Sequence, residues 1–205
     1  MFSFNFSKRE IKELVIAWII LSISISFVFL WNGGLNLFDV FSYQMLFSLS
    51  VSLPVVGVAF VLHEVGHKLM AQHFGHNAEF RMDTKMLFFA LFLAYAGGFL
   101  FAAPGAVRIF GRRLSISENG KISLSGPLVN LSFGLLVFLP LSFFGGYLGF
   151  IGTYGVLINF FLSTFNLLPF GYFDGKKIFR WNKLIYITSF GFSLFLTIYS
   201  YLYVV

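Results

Sequence analysis

The chain has 205 residues, of which 58% are hydrophobic and only 11% are charged, and its formal net charge is +6. A soluble domain carries about 25% charged residues, so this composition excludes a soluble globular protein, and its hydrophobicity excludes intrinsic disorder. The excess apolar surface must face lipid. Since Lys and Arg of membrane proteins collect in cytoplasmic loops, the positive charge is no sign of a nucleic-acid partner, and none is predicted.

Uncharged stretches of the sequence predict the membrane-spanning helices, because about 20 apolar residues cross the hydrocarbon core. These stretches are 14–38, 40–62, 86–107, 122–173 and 184–205. Without 86–107 they predict five spans, at about 14–31, 43 to beyond 67, 127–143, 147–168 and 184–205. The 52-residue stretch is long enough for two helices, with Gly145-Gly146 as the turn between them.

The stretch 86–107 is long enough to cross once, yet Gly97-Gly98 interrupts it halfway. If it does not cross and the N-terminus is cytoplasmic, all 14 Lys and Arg residues lie on the cytoplasmic side. A crossing would move four of them outside. The positive-inside rule therefore predicts a hairpin or re-entrant segment at 86–107, with the C-terminus on the side opposite the N-terminus.

Two connections have the alternating pattern of β-strands. Ala78 to Asp83 alternates with period two, and the short alternating stretches at 114–116 and 122–124 flank Asn119-Gly120, a pair typical of hairpin turns. The predicted fold is thus an all-α polytopic membrane protein with about five transmembrane helices, a re-entrant segment and small cytoplasmic β-strands. It forms one domain, 1–205, whose motifs lie within about 43–183.

A cluster of ionisable residues stands at the end of the second predicted span, in His63-Glu64-Val65-Gly66-His67. Residues i and i+4 share one helix face about 6 Å apart, so both imidazoles can bind one zinc ion. Glu64 is placed to accept a proton from water at the metal. The alternative is a helix end that merely meets lipid headgroups, but ionisable residues at membrane depth are costly and usually functional.

A tetrahedral zinc site needs a third protein ligand, and Asp174 is the favoured candidate among the few acidic residues. It follows the fourth span, which Pro169 breaks, and Gly175 after it permits an unusual turn. A capping or headgroup-facing loop residue is the alternative for Asp174. His67 and Asp174 can meet only if the chain crosses the membrane an even number of times between them, which a non-crossing 86–107 allows.

Three motifs together resemble the site-2 protease family of intramembrane zinc metalloproteases. His63 to His67 with Ala71 fits H-E-x-G-H-x-x-x-A, Gly126 to Asn130 fits G-P-x-x-N, and Asn166 to Gly175 fits N-x-x-P-x-x-x-x-D-G. They occur in the family's order and cover about half of the chain. The resemblance is to a minimal core, without a PDZ or CBS domain.

This resemblance implies that His63, His67 and Asp174 bind one Zn²⁺ per chain and that Glu64 is the catalytic base. It also implies that Asn130 and Asn166 position substrate or transition state. The expected activity is hydrolysis of peptide bonds in or near transmembrane segments of membrane-protein substrates. The expected partners are such a substrate and the lipid bilayer, while the sequence predicts no oligomeric state.

Other interpretations remain for the cluster and its surroundings. One alternative is a non-proteolytic membrane zinc protein, such as a metal carrier or an inactive homologue; another is an H-E-x-x-H protease with a Glu as third ligand. A substrate strand is expected to pair with residues 78–83 or with the segment 86–107. Asn159, inside the fourth predicted span, is expected to make an interhelical hydrogen bond. The four basic residues of 176–183 are expected to form a patch that faces anionic lipid headgroups.

Overall fold

Helices dominate the computed structural model, which describes residues 5–32, 41–100 and 104–204. In order, those residues form α1 (Lys8–Asn32), α2 (Tyr43–Val56), α3 (Leu62–His73), β1 (Asn77–Met82), α4 (Thr84–Gly97), β2 (Gly105–Phe110), α5 (Ile116–Phe133), α6 (Leu139–Ser142), α7 (Gly146–Asn166), α8 (Asp174–Trp181) and α9 (Lys183–Tyr203). Two π-helical stretches join neighbouring α-helices, Gly57–Val61 before α3 and Gly134–Phe138 after α5.

Five helical segments of the described chain are long and apolar enough to cross a membrane, which confirms the predicted number. They are Lys8–Trp31, Tyr43–His73, Ile116–Ser142, Gly146–Asn166 and Lys183–Tyr203. The third begins well before the predicted 127, because Ser115 and Glu118 form a capping box that starts α5 early. The turn at Gly145-Gly146 lies where the sequence predicts it, with Gly146 in the left-handed region at φ 65°.

The predicted hairpin around Asn119-Gly120 is wrong, because both residues lie inside α5. The turn preference of this pair is local, and two other interactions override it. The capping box satisfies the free amides of the helix start. Gly120 is buried against Trp181, and an added Cβ would collide with the Trp181 side chain, so this helix needs a glycine where it packs against α8.

The described chain divides into two compact units, one made of residues 5–57 and 79–108 and the other of residues 58–78 and 109–204. In the first unit α1 packs against α2 through small polar contacts. The Trp18 indole donates to the Leu53 carbonyl at 2.8 Å, and the Ser26 and Ser52 hydroxyls are 2.8 Å apart. Such contacts allow close helix packing where no hydrophobic force drives association.

The segment after β1 leaves the two-stranded sheet and returns to it. Helix α4 has 14 residues, about 21 Å at 1.5 Å per residue, which is too short for a core of about 30 Å. The Asp83 amide donates to the Pro104 carbonyl at 2.8 Å, so the two ends of the segment meet. The chain thus returns to its starting point, as the predicted non-crossing segment at 86–107 requires. The predicted strand at 78–83 pairs with a strand, β2, that sequence reasoning missed.

Carboxylates of α1 occupy the backbone edge of β1. Glu10 accepts the Phe80 amide at 2.9 Å, and Glu13 accepts the Met82 amide at 3.0 Å. Glu10 and Phe80 are both almost completely buried. The alternate amides on this edge of β1, those of Phe80 and Met82, are therefore already bonded.

In the second unit α5 packs against α3, α7 and α8, while α9 packs against α7 and α8. The hydroxyl of Thr164 on α7 lies 2.7 Å from that of Ser193 and 2.8 Å from that of Thr197, both on α9. Leu167, Ile178 and Tyr186 form a buried apolar cluster beside α8. This packing fixes the first residue of α8, Asp174, relative to α3.

Candidate metal centre

Three ligand atoms from two helices converge in the second unit. His63 and His67 lie one turn apart on α3, and their Nε2 atoms are 3.0 Å from each other. Oδ2 of Asp174 is 3.0 Å from His67 Nε2 and 3.6 Å from His63 Nε2. The three residues are only 3%, 7% and 7% exposed in chain order. The structure thus brings together the three ligands predicted from the sequence.

The hydrogen bonds of the two imidazoles leave both Nε2 atoms facing the common centre. His67 Nδ1 lies 2.7 Å from the Ile122 carbonyl, which can only accept, so Nδ1 carries the proton. His63 Nδ1 is held in the same way, 2.5 Å from Asn130 Oδ1. In neutral imidazoles the two Nε2 lone pairs and a carboxylate oxygen therefore point at one another, and a cation between them removes the repulsion.

The spacing and the free space around these atoms fit zinc. A tetrahedral ion with ligand bonds of about 2.0–2.1 Å places its ligand atoms about 3.3 Å apart, close to the observed 3.0–3.6 Å. A Cβ added at Gly126 on α5 would lie 2.5 Å from His67 Nε2 and 2.7 Å from His63 Nε2. The glycine therefore keeps this side of the centre open.

The Asp174 carboxyl is held in its anionic form. Burial raises its pKa, but the adjoining His67 and His63 side chains and the charge of Lys177 outweigh burial and hold that pKa well below its usual range. Lys177 contacts the second oxygen, with Nζ 3.2 Å from Oδ1.

Glu64, the predicted base, lies next to His63 on α3 and is 8% exposed. It is thus buried in the same helical turn as two ligands. Asn130 is completely buried and touches His63 as described above, and its predicted role toward substrate stays a prediction. Asn166 lies at the end of α7 and donates to the Leu162 carbonyl of its own helix at 3.0 Å, so its predicted role also stays a prediction.

Sequence reasoning missed two features of this centre and predicted a third. The Ile122 carbonyl is backbone, so no side-chain pattern could identify it. Lys177 stands three residues after Asp174, the spacing of neighbours on a helix, and that spacing was the available signal. Asn159 does make the predicted interhelical bond, accepting from Asn130 at 3.1 Å across α5 and α7.

Comparison with known proteins gives one informative match. The chain is 37% identical over 185 residues to the protein named "Putative zinc metalloprotease MJ0611" from Methanocaldococcus jannaschii, and the match covers 89% of this chain and 90% of that protein. No family model matches the chain, and no solved structure matches it. The match therefore covers far more of the chain than the motif residues alone.

Proposed function

The chain belongs to the zinc metalloprotease family of its Methanocaldococcus jannaschii relative, and from that premise we propose that it is an intramembrane endopeptidase of the site-2 type. It hydrolyses peptide bonds in or near transmembrane segments of membrane-protein substrates, with one zinc ion per chain. The observation that carries the proposal is the convergence of His63, His67 and Asp174 beside Glu64, two of these ligands lying on the apolar helix Tyr43–His73.

The residues of the metal centre have separate roles in the proposed reaction. His63, His67 and Asp174 would hold the ion through Nε2, Nε2 and Oδ2. Zinc, when bound, supplies a Lewis acid that activates water and polarises a carbonyl. The Glu64 carboxylate accepts a proton as the water oxygen attacks the peptide carbon. Glu64 then delivers that proton to the nitrogen as the C–N bond breaks, which yields an acid and an amine.

The substrate must be extended where it is cut. An intact transmembrane helix keeps its carbonyls in i→i−4 hydrogen bonds, so they cannot reach the metal centre. Helix-weakening residues in the substrate are therefore expected near the scissile bond. Pairing of the extended chain with β1 has to compete with Glu10 and Glu13, which already bond the Phe80 and Met82 amides.

We also propose the orientation of the chain. If all five candidate helices cross the membrane, the two termini lie on opposite sides of it. Basic residues precede the apolar part of α1 and lie in the connections 74–115 and 167–182, whereas the connection between α6 and α7 has none. The positive-inside rule then places the N-terminus in the cytoplasm and the C-terminus outside it.

Reconstitution tests the activity. The purified chain is placed in liposomes with zinc and a single-span test substrate. The variant Glu64→Gln and the matched control Glu118→Gln are assayed in parallel under the same conditions. Gln also serves in a capping box, so Glu118→Gln retains the start of α5. We expect cleavage by the parent and the control, and a loss of about 100-fold or more in Glu64→Gln, which removes the base.

The same experiment separates the proposal from a non-proteolytic zinc protein. Zinc content is measured for each variant, because Glu64 is not a ligand and its replacement should leave zinc bound. Zinc-loaded parent that cleaves no single-span substrate favours the non-proteolytic alternative. Cleavage that persists in Glu64→Gln removes Glu64 as the base.

A further inference from the structure

A chain of hydrogen bonds behind His63 fixes the direction of each of its groups. Asn159 donates through Nδ2 to the Gly155 carbonyl at 2.8 Å, so its Oδ1 faces Asn130. Asn130 donates through Nδ2 to the Ala59 carbonyl at 2.7 Å and to Asn159 Oδ1 at 3.1 Å. Backbone carbonyls can only accept, so neither amide can be reversed.

The fixed amides determine the tautomer of His63. Because both Asn130 N–H groups point away from the histidine, Asn130 Oδ1 is the atom that meets His63 Nδ1, at 2.5 Å. An oxygen acceptor there requires the proton on Nδ1 and leaves Nε2 bare. Nε2 is the atom that faces His67 and Asp174.

The backbone partner of Asn130 lies in an unusual place. Ala59 is in the middle of the π-helical stretch Gly57–Val61, directly before the turn with His63. π-Helical pairing joins residues five apart instead of four, and such stretches are frequent at functional sites. Asn130 and Asn159 are both completely buried, so their polar atoms have no water to replace these bonds.

We propose that Asn130, held by Asn159, is a positioning residue of the metal centre: it fixes the ring and the tautomer of His63 so that Nε2 binds the metal. This assigns Asn130 to the histidine instead of the substrate contact that the family resemblance implies. Outer partners of metal-bound histidines typically change metal affinity by about 10- to 100-fold when removed. The proposal rests on the proposed function only in taking the ion to be zinc.

Zinc affinity of the full chain in detergent, measured by competition with a chelator, tests this role. We expect about 10- to 100-fold weaker binding in Asn130→Leu, which removes the acceptor. Asn130→Asp keeps an oxygen on His63 Nδ1 but loses the donor to Ala59 and Asn159, so its zinc affinity should fall less than that of Asn130→Leu. Asn159→Leu leaves the bond from Asn130 to Ala59 and should weaken zinc binding by less than about tenfold.

Two further readouts distinguish positioning from a purely structural or a substrate-binding role. Visible absorption of the Co²⁺-loaded protein should change in Asn130→Leu and resemble the parent in Asn130→Asp. With zinc at saturation, the KM of Asn130→Asp for the test substrate should equal that of the parent.

Parent-like zinc affinity in Asn130→Leu would overturn the proposal, and so would a raised KM with unchanged affinity, which indicates a substrate contact. If Asn130→Leu does not fold, the zinc affinity of Asn130→Asp is compared with that of the metal-ligand variant His63→Ala. An Asn130→Asp affinity as low as that of His63→Ala counts against the proposal. Absence of peptide cleavage by the parent would instead refute the proposed function, because zinc affinity is measured without substrate.

Discussion

Lys177 donates a hydrogen bond to one carboxylate oxygen of Asp174, while the other oxygen of Asp174 faces the two histidines. The two residues stand one turn apart at the start of α8, and Lys177 is partly exposed, whereas Asp174 is buried. Because Oδ1 is bonded to the lysine, Oδ2 is the oxygen that remains for a metal. The start of α8 thus supplies a ligand together with the group that orients it.

Replacing Lys177 with Met should weaken zinc binding by about 10-fold, because the carboxylate loses the partner that holds Oδ1. Lys177→Arg retains a cationic donor and should keep most of the affinity. Chelator competition measures both. Equal affinities in the Met variant and the parent would show that packing alone orients Asp174.

Replacing Gly126 with Ala should abolish zinc binding, with a loss of more than about 100-fold in affinity. The new methyl group would lie 2.5 Å from His67 Nε2, inside the space between the donors. Gly145→Ala is the matched control, because nothing lies within 4 Å of a Cβ there. Zinc content after dialysis measures the effect, and zinc bound at parent level by Gly126→Ala would show that the ion lies elsewhere.

Replacing Gly120 with Ala should destabilise the protein by about 1–3 kcal/mol, because the methyl group overpacks the contact of α5 with Trp181. In a Trp181→Ala background the clash is gone. There the same replacement should stabilise by up to about 1 kcal/mol, since Ala is the better helix former. The free energy of unfolding in detergent is measured for the parent, the two single variants and the double variant. These four values give the coupling energy between Gly120 and Trp181. Additive effects would contradict the packing of Gly120 on Trp181.

Single cysteines can test the path of the re-entrant segment, because the chain has none of its own. Lys85→Cys and Arg108→Cys stand at its two ends and should react with an impermeant maleimide from the same side of the membrane. Gly145→Cys, between the third and fourth spanning helices, should react from the other side. Labelling of Lys85→Cys and Arg108→Cys from opposite sides would mean that 86–107 crosses.

The sequence predicts the parts of this molecule that depend on side-chain type. Uncharged stretches indicate the five spans, and the spacing of His63 and His67 puts both rings on one helix face. Asp174 follows from its place after a broken helix and from the parity of crossings. These features need no knowledge of packing.

Features that depend on backbone geometry or on distant packing are beyond such reasoning. The π-helical stretch at 57–61 and the Ile122 carbonyl are invisible in residue types. Asn119-Gly120 is a strong local turn signal, yet the glycine is there because Trp181 leaves no space for a side chain. Strand β2 is missed because its partner β1 is separated from it by α4.

The position of Asp174 has a consequence for the unfolded chain as well as for the reaction. A metal held by His67 and Asp174 links two points separated by about 100 residues of sequence, much as a disulfide would. In the chain-entropy account, a permanent link of that length is worth about 4–5 kcal/mol, because it restricts the unfolded ensemble. A zinc ion bound there would therefore also be a cross-link, and a chelator should then lower the melting temperature of a chain that has no cysteine to form any other link.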